Sequence, residues 1–240
     1  MGDQVNGENS EQNTISINAK LSINDRLALV KAELSAALKL AQRNDDDCSL
    51  VAVSKTRTTD EIEQAIAAGH RVFGENRVQE AAEKWIDLKK EHSDICLHLI
   101  GPLQSNKVRQ AVKLFDVIEV VDREKLAVAL SRVMDEEQLF PKIYVQVNTG
   151  EEPQKAGVLP KELPDFLNKL RGEIGLQVEG LMCIPPQGEE PAMHFSLLKN
   201  LAEKHGIEKL SMGMSSDFDV AARLGATSVR VGTKIFGTRS

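Results

Sequence analysis

The chain has 240 residues and a formal net charge of −6 at pH 7, with 41% hydrophobic and 28% charged residues. This composition is ordinary for a folded protein and excludes global disorder, while the acidic balance argues against an extended nucleic-acid surface. No apolar run approaches the roughly 20 residues of a membrane span, and no secretory leader pattern is found. Three cysteines in no ligand spacing predict reduced thiols and no metal site. We therefore expect a cytoplasmic protein without nucleic-acid or membrane partners.

The predicted elements begin after a polar N-terminal segment. Residues 1–22 are poor in apolar anchors, which predicts a disordered tail. Leucines near helical spacing predict a helix over 24–43. Eight strand candidates follow, at 50–54, 71–73, 96–100, 117–120, 142–147, 176–182, 209–212 and 228–231. Helical patterns lie between them, at 60–68, 76–90, 105–114, 123–138, 161–171, 194–205 and 217–224.

This alternation predicts the fold class. Strands that alternate with helices indicate a parallel sheet, and eight such strands are the number that closes a (β/α)8 TIM barrel. A doubly wound open sheet is the alternative, but no GxGxxG motif follows the first strand. Because we find no second globular domain, we expect residues 23–240 to form one barrel.

A lysine stands where the first strand ends. In parallel barrels the binding face is formed by residues that follow the carboxyl ends of the strands. Lys55 shares its parity with Val51 and Val53, so all three side chains should point to the same side of the strand. If that side is the interior, the amine lies at the mouth of an apolar core, where it can form a Schiff base. The alternative is a strand-end lysine that extends into water.

The C-terminal segment 210–237 predicts a phosphate site. It places Gly213 and Ser215 after the seventh strand, and Gly232 and Thr233 directly after the eighth. Free backbone N–H groups, hydroxyls and a helix N-terminus favour an anion, and these loops commonly hold phosphate in barrels. The alternative is a pair of tight turns that need glycine. A Schiff-base lysine near a phosphate site suggests an aldehyde that carries a phosphate, and pyridoxal 5′-phosphate fits this description.

Six segments in chain order carry a family resemblance. They are VSKTR at 53–57, FGENRVQE at 73–80, HLIGPLQSNK at 98–107, GLMCIP at 180–185, LSMGMSSDF at 210–218 and VRVGTKIFG at 229–237. Together they resemble the pyridoxal phosphate homeostasis (YggS/PROSC) family, from about residue 24 to residue 239. The resemblance implies a single fold-type III barrel, related to that of alanine racemase, which holds pyridoxal phosphate through a Schiff base.

The resemblance also implies roles for single residues. Lys55 would be the Schiff-base lysine, Asn76 would lie beside the cofactor ring, and the segments around Ser215 and Gly232–Thr233 would hold the phosphate. The full set of predicted cofactor-binding residues is Lys55, Asn76, Met214, Ser215, Arg230, Gly232 and Thr233.

Arg230 has two possible roles in such a site. It shares its parity with Gly232 and should lie deeper on the same side. A guanidinium does not give up its proton, so beside the pyridine nitrogen it would keep that nitrogen unprotonated, as the resemblance suggests. A contact with the phosphate is equally open. An ordinary ion pair with Glu119 or Asp219 is the alternative to both.

Three functions are compatible with a Schiff-base lysine. Racemization needs two positioned proton-transfer groups, of which Lys55 can be only one, and the single tyrosine, Tyr144, lies within a strand. The resemblance therefore implies a protein that binds, buffers and delivers pyridoxal phosphate without robust turnover. A pyridoxal-phosphate-dependent amino-acid racemase is the alternative, and a class I aldolase is a third hypothesis. We expect a monomer whose partners are pyridoxal phosphate, apo-enzymes that use it, and amino acids.

Lys155, in the loop after the fifth strand, could meet a phosphate, although a solvated loop lysine is the simpler interpretation.

Overall fold

A computed structural model describes residues 21–238 of the chain. Eight parallel strands close into a barrel in chain order, and the eighth strand pairs with the first. The strands are β1 Ser49–Val53, β2 Val72–Glu75, β3 Cys96–Leu99, β4 Val117–Val121, β5 Lys142–Val147, β6 Gly180–Cys183, β7 Lys209–Ser211 and β8 Ser228–Val231. The predicted (β/α)8 barrel is confirmed.

Helices surround this barrel. Those of the described residues are α1 Ile23–Leu40, α2 Thr59–Ala67, α3 Val78–Glu91, α4 Val108–Leu114, α5 Glu124–Glu137, α6 Leu163–Lys169, α7 Pro191–Lys204, α8 Phe218–Arg223 and α9 Thr233–Phe236. Short 3-10 turns cover Asp45–Asp47 and Ser105–Lys107, and a π-helical turn, Leu170–Ile174, follows α6. The sequence patterns do not predict α9, which is a single turn. No helix within residues 21–238 is long and apolar enough to cross a membrane.

Two helices begin with reciprocal side-chain caps. At α2, Thr58 Oγ1 accepts the Glu61 N–H at 3.3 Å, and Glu61 Oε2 accepts the Thr58 N–H at 2.9 Å, which forms a capping box. At α1, Ser22 and Asp25 form the same arrangement. Ser22 is the last residue of the predicted tail, and residues 1–20 of that tail lie outside the described residues.

Two strands differ from the sequence pattern by two residues or more at one end, and the other strand boundaries agree to within one residue. The strand predicted over 176–182 begins only at Gly180, because the preceding backbone turns back to the helix end, where the Leu176 N–H donates to Leu170 O at 2.8 Å. The strand predicted over 71–73 continues to Glu75, because Gly74 and Glu75 pair with β3. In both cases the tertiary hydrogen bonds override the local preference of the sequence.

The barrel has an apolar outer layer and an unusually polar interior. Apolar strand residues such as Leu50 and Ala52 belong to the large buried cluster shared with the helices. Inside, Glu119 on β4 accepts a hydrogen bond from Ser211 on β7, and these strands are not neighbours, so the contact crosses the barrel. Barrel interiors are usually filled by branched apolar side chains. The interior of this barrel also holds a cluster of buried charged residues.

Candidate functional site

A cavity of about 410 Å³ opens where the strands end. Its lining residues are Val53, Lys55, Thr56, Arg57, Asn76, Ile100, Ile184, Met214, Ser215, Ser216, Arg230, Gly232 and Thr233. All seven residues predicted from the sequence are among them, so the structure brings the predicted set together in one place. The remaining lining residues, such as Arg57 and Ile184, are not among the predicted cofactor-binding residues. Their common signal is position, since each lies at or shortly after the end of a strand.

Lys55 lies two residues beyond the end of β1 and is half-buried. Val53 lines the same cavity, which agrees with the predicted parity of the two residues. Within the described part of the chain, the Lys55 amine forms no ion pair. The backbone turns sharply at the next residue, because Thr56 has a φ of 62°. A left-handed conformation is unfavourable for a β-branched residue, and such strain is typical of functional turns.

Asn76, which lines the cavity, carries an unsatisfied hydrogen-bond acceptor. It follows β2, and its Oδ1 atom is buried without a partner among the described residues. Gly101, after β3, packs directly against it, since a Cβ at Gly101 would lie 2.6 Å from Asn76 Cβ and overlap Asn76 O. A buried carbonyl oxygen without a donor is costly. This orphaned atom therefore fits a ligand that brings a donor or a polar edge to Asn76.

The loops after β7 and β8 form the other wall of the cavity. The Gly232 N–H donates to Ser215 Oγ at 3.3 Å, which joins the two loops. The Met214 N–H donates to Asp217 Oδ1 at 2.6 Å, which holds the first loop closed. Gly213 has a φ of 92°, and a Cβ there would lie 2.5 Å from Ala221 Cβ, so this turn requires glycine. Together, the loops place hydroxyl and backbone groups at the edge of the cavity.

The charges along the cavity favour an anion. Three cationic side chains line it, those of Lys55, Arg57 and Arg230, and its described lining includes no carboxylate. Arg57 is held at the rim, because its Nη2 donates to Gly237 O at 2.5 Å and its Nη1 lies 3.3 Å from Glu61 Oε1. The protein as a whole carries a net charge of −6. The cavity is therefore a local cationic site on an acidic protein.

Arg230 connects the cavity to the polar interior of the barrel. It is only 3% exposed. Its Nη1 donates to Ser211 Oγ at 2.5 Å and its Nη2 donates to Cys183 O at 2.8 Å. Glu119 Oε2 lies 3.9 Å from Arg230 Nη1, so the pairing with Glu119 that the sequence left open is present. The other proposed partner, Asp219, pairs with Arg223 instead. Arg230 is thus both a member of a buried charge network and part of the cavity wall.

His98 completes this network. Its Nδ1 donates to Glu119 Oε1 at 2.6 Å. Burial by itself would lower the pKa of His98, but interactions with Cys96 and Glu119 outweigh it and raise the pKa to about 9. Burial opposes ionisation of Glu119, yet His98, Arg230 and Ser211 hold its pKa below the usual value. At neutral pH a carboxylate therefore lies between an imidazolium and a guanidinium.

Two other residues considered in the sequence analysis lie outside the cavity wall. Lys155 pairs with Glu152 Oε2 at 2.5 Å, and its Nζ lies 3.5 Å from Pro185 O. Tyr144 is buried inside the barrel, where burial and the nearby Glu119 raise the pKa of its phenol. The chain's single tyrosine is therefore not placed to exchange protons with a ligand in the cavity.

Comparison with known proteins defines the class to which this fold and site belong. Residues 27–240 match the family described as alanine racemase, N-terminal domain. The pyridoxal phosphate homeostasis protein of Pseudomonas aeruginosa is 39% identical over 225 residues, which cover 91% of this chain and 96% of that protein. The protein of the same name from Vibrio cholerae is 37% identical over 228 residues, covering 91% and 97%. The chain belongs to the pyridoxal phosphate homeostasis protein family.

A solved structure has the same architecture. PipY of Synechococcus elongatus, in the form without PLP, superimposes with a TM-score of 0.80 at 39% identity, covering 90% of this chain and 100% of that chain. The form of PipY with PLP bound gives a TM-score of 0.76 at 38% identity, with the same coverage. The similarity extends over nearly all of the barrel.

The charge network predicts that stability depends on pH. The pKa of His98 in the folded protein, about 9, lies above its ordinary value of 6.5. The ion pair with Glu119 therefore stabilises the fold fully below pH 6.5, and its contribution is lost as the pH rises to about 9. We expect the free energy of unfolding, measured by urea denaturation, to decrease over this range. His98→Gln, whose amide can still donate to Glu119, should show a much smaller decrease. An equal decrease in both proteins would contradict this assignment.

Proposed function

We propose that the protein binds pyridoxal 5′-phosphate in this cavity, with Lys55 as the attachment residue, and serves in the cellular supply of this cofactor. The observation that carries the proposal is the placement of one ion-pair-free amine and two hydroxyl-bearing loops around a single cation-lined cavity. When bound, the cofactor supplies an aldehyde carbon for the amine and a phosphate for the loops. The names of the relatives and the PLP-bound form of PipY support the same ligand.

Each residue of the site would have a separate task. Ser215 and Thr233 would donate hydroxyl hydrogens to the phosphate, and the Gly232 N–H, which donates to Ser215 Oγ, would hold the Ser215 hydroxyl in position. The unsatisfied Oδ1 of Asn76 would contact the cofactor ring. Arg230 would face the ring rather than the phosphate, because Ser211 Oγ and Cys183 O hold its guanidinium inside the barrel. This assignment gives every predicted site residue except Met214 a polar role.

The side chains around the cavity favour a carrier over a racemase. Of the groups in its described lining, only Lys55, Arg57 and Arg230 are ionisable. An arginine does not release its proton, so Lys55 is the single group there that can accept and return one. Racemization needs a second such group on the opposite face. We infer a protein that holds and releases pyridoxal phosphate without significant amino-acid turnover.

The surroundings of the cavity support delivery to other proteins. Ile184 at its rim is 37% exposed, and Ser216 and Thr233 are exposed as well, so the bound cofactor would remain accessible from solvent. We propose that the protein acts in the cytoplasm as a monomer, and that its partners are apo-enzymes and amino acids. The free thiols of Cys48, Cys96 and Cys183 are consistent with a reducing compartment.

The first test locates the attachment site. The protein loaded with pyridoxal phosphate should absorb in the visible range, and borohydride should fix the ligand covalently on Lys55. Mass spectrometry of the digested protein identifies the modified residue. Lys55→Ala should lose the absorbance, whereas Lys155→Ala, which removes a lysine outside the cavity wall, should retain it. Modification of Lys155 in the parent protein would refute the assignment.

A second test separates the phosphate from the rest of the ligand. Ser215→Ala or Thr233→Ala should weaken binding of pyridoxal phosphate about tenfold or more, because each removes a hydrogen bond to a charged group. Binding of pyridoxal, which lacks the phosphate, should change little. Ser131→Ala, remote from the cavity, serves as the matched control because its hydroxyl donates only to Ile174 O. Affinities are measured by absorbance titration, and equal losses for both ligands would mean that the fold had been disturbed.

A third test distinguishes carrier from enzyme. The loaded protein should restore activity to an apo-enzyme that requires pyridoxal phosphate, and Lys55→Ala prepared in the same way should not. Several L-amino acids incubated with the loaded protein in deuterated water should show little exchange at Cα by NMR, because no second proton-transfer group lines the described cavity. Fast exchange with accumulation of the D-enantiomer would establish the racemase instead.

A further inference from the structure

A largely buried lysine lies behind the Lys55 turn, outside the cavity. Lys84 is on α3, and its side chain is 10% exposed. Its Nζ lies 2.7 Å from Glu75 Oε1 and 3.0 Å from Glu80 Oε1, and it donates to Ser54 O at 3.0 Å. One ammonium is thereby surrounded by two carboxylates and a backbone carbonyl.

These contacts hold the backbone on both sides of Lys55. Ser54 precedes Lys55, and its carbonyl accepts from Lys84. Thr56 follows Lys55, and its N–H donates to Glu80 Oε1, the same oxygen that Lys84 contacts. Thr56 is also the residue with the left-handed φ of 62°. The strained turn that carries Lys55 is therefore tied at both ends to the helix that follows β2.

Glu75 is the buried carboxylate that holds the Lys84 ammonium in place. It is fully buried, and its Oε1 also accepts from Ser54 Oγ at 2.7 Å and from Trp85 Nε1 at 3.0 Å. Glu75 is the last residue of β2 and does not line the cavity, whereas the next residue, Asn76, does. A buried ion pair is weak evidence for stability alone, because apolar residues of similar size often serve as well. Because Lys84 also donates to the backbone carbonyl of Ser54, next to Lys55, the ion pair holds the backbone at this turn.

We propose that Lys84 is a positioning residue, which with Glu75 and Glu80 fixes the direction of the Lys55 amine into the cavity. The inference rests on the proposed function in so far as Lys55 receives the cofactor. Lys84 itself is not among the described residues that line the cavity, and it would take no part in bond formation. Its effect is to keep one conformation of residues 54–56, so that an incoming aldehyde meets an amine that is already oriented.

The same helix supplies a matched control. Lys89 is also on α3, its Nζ lies 2.7 Å from Asp116 Oδ2, and it donates to Leu114 O at 3.1 Å. It thus makes one ion pair and one bond to a backbone carbonyl, whereas Lys84 makes two ion pairs and one such bond, and its partners directly precede β4. Lys89→Met therefore removes a comparable link between α3 and the neighbouring chain without touching the Lys55 turn.

Three variants separate positioning from stability: Lys84→Met, Lys89→Met and the double variant Glu75→Gln with Lys84→Met. The double variant avoids an unpaired buried carboxylate, and its amide oxygen can still accept from Ser54 and Trp85. Hydrogen exchange of the segment 54–57 is measured in cofactor-free protein, together with the urea midpoint. The rate at which pyridoxal phosphate becomes attached to Lys55 is followed by absorbance, and the site is checked by borohydride trapping.

We expect the exchange of segment 54–57 to be about tenfold faster in both proteins with Lys84→Met, since a bond to a charged group is lost. Attachment of pyridoxal phosphate should slow about tenfold or more in both, even where the double variant regains the parent's urea midpoint. Lys89→Met should resemble the parent in both measurements. Unchanged exchange, or an attachment rate restored together with stability in the double variant, would overturn the proposal. If the parent itself attaches no ligand at Lys55, the proposed function fails, and the exchange measurement still decides whether Lys84 fixes the turn.

Discussion

The site depends on the hydrogen bonds that close the barrel between β8 and β1. Four residue pairs form this seam, from Ser49 with Ser228 to Ala52 with Val231. Because both strands run in the same direction and in fixed register, the residues that follow them emerge side by side. Lys55 and the Gly232–Thr233 loop, which lie at opposite ends of the barrel sequence, thereby become two walls of one cavity. Without this closure the Lys55 amine and the loop after β8 would have no fixed position relative to each other.

The interior of the barrel adds a second constraint. A carboxylate, an imidazole and a guanidinium take positions that branched apolar residues usually fill. Each has a short contact to a partner, and removal of the carboxylate, Glu119, would leave two buried cations without a counter-charge. The network fixes the depth of Arg230 and keeps its charge at the base of the cavity. The floor of the site is therefore determined by residues on β3, β4 and β7 that do not line it.

The sequence predicted the periodic features of the molecule and missed those that depend on distant contacts. The bounds of β5 and β8 agree with their apolar patterns, and Lys55 and Val53 line the same cavity, as their shared parity predicted. The predicted start of β6 was wrong, because the periodicity of a strand cannot show where its pairing with the neighbouring strand begins. Lys84 gave no signal at all, since an exposed helical lysine and a buried one look alike until Glu75 and Ser54 are placed beside it. The alternation of apolar and polar residues along a strand predicts on which side of the sheet a side chain lies. The ion-pair partner of a side chain depends on distant residues and becomes known only from the folded structure.

The contrast between the acidic body of the protein and its cation-lined cavity has a kinetic consequence. A phosphate-bearing ligand that approaches a body of net charge −6 experiences weak repulsion, which salt reduces over a screening length of about 8 Å under physiological conditions. The attraction of Lys55, Arg57 and Arg230 acts mainly within that distance. Long-range steering, which accelerates the encounter of oppositely charged partners, therefore contributes little to capture. Selection of a phosphate-bearing ligand would then depend on contacts at the mouth of the cavity.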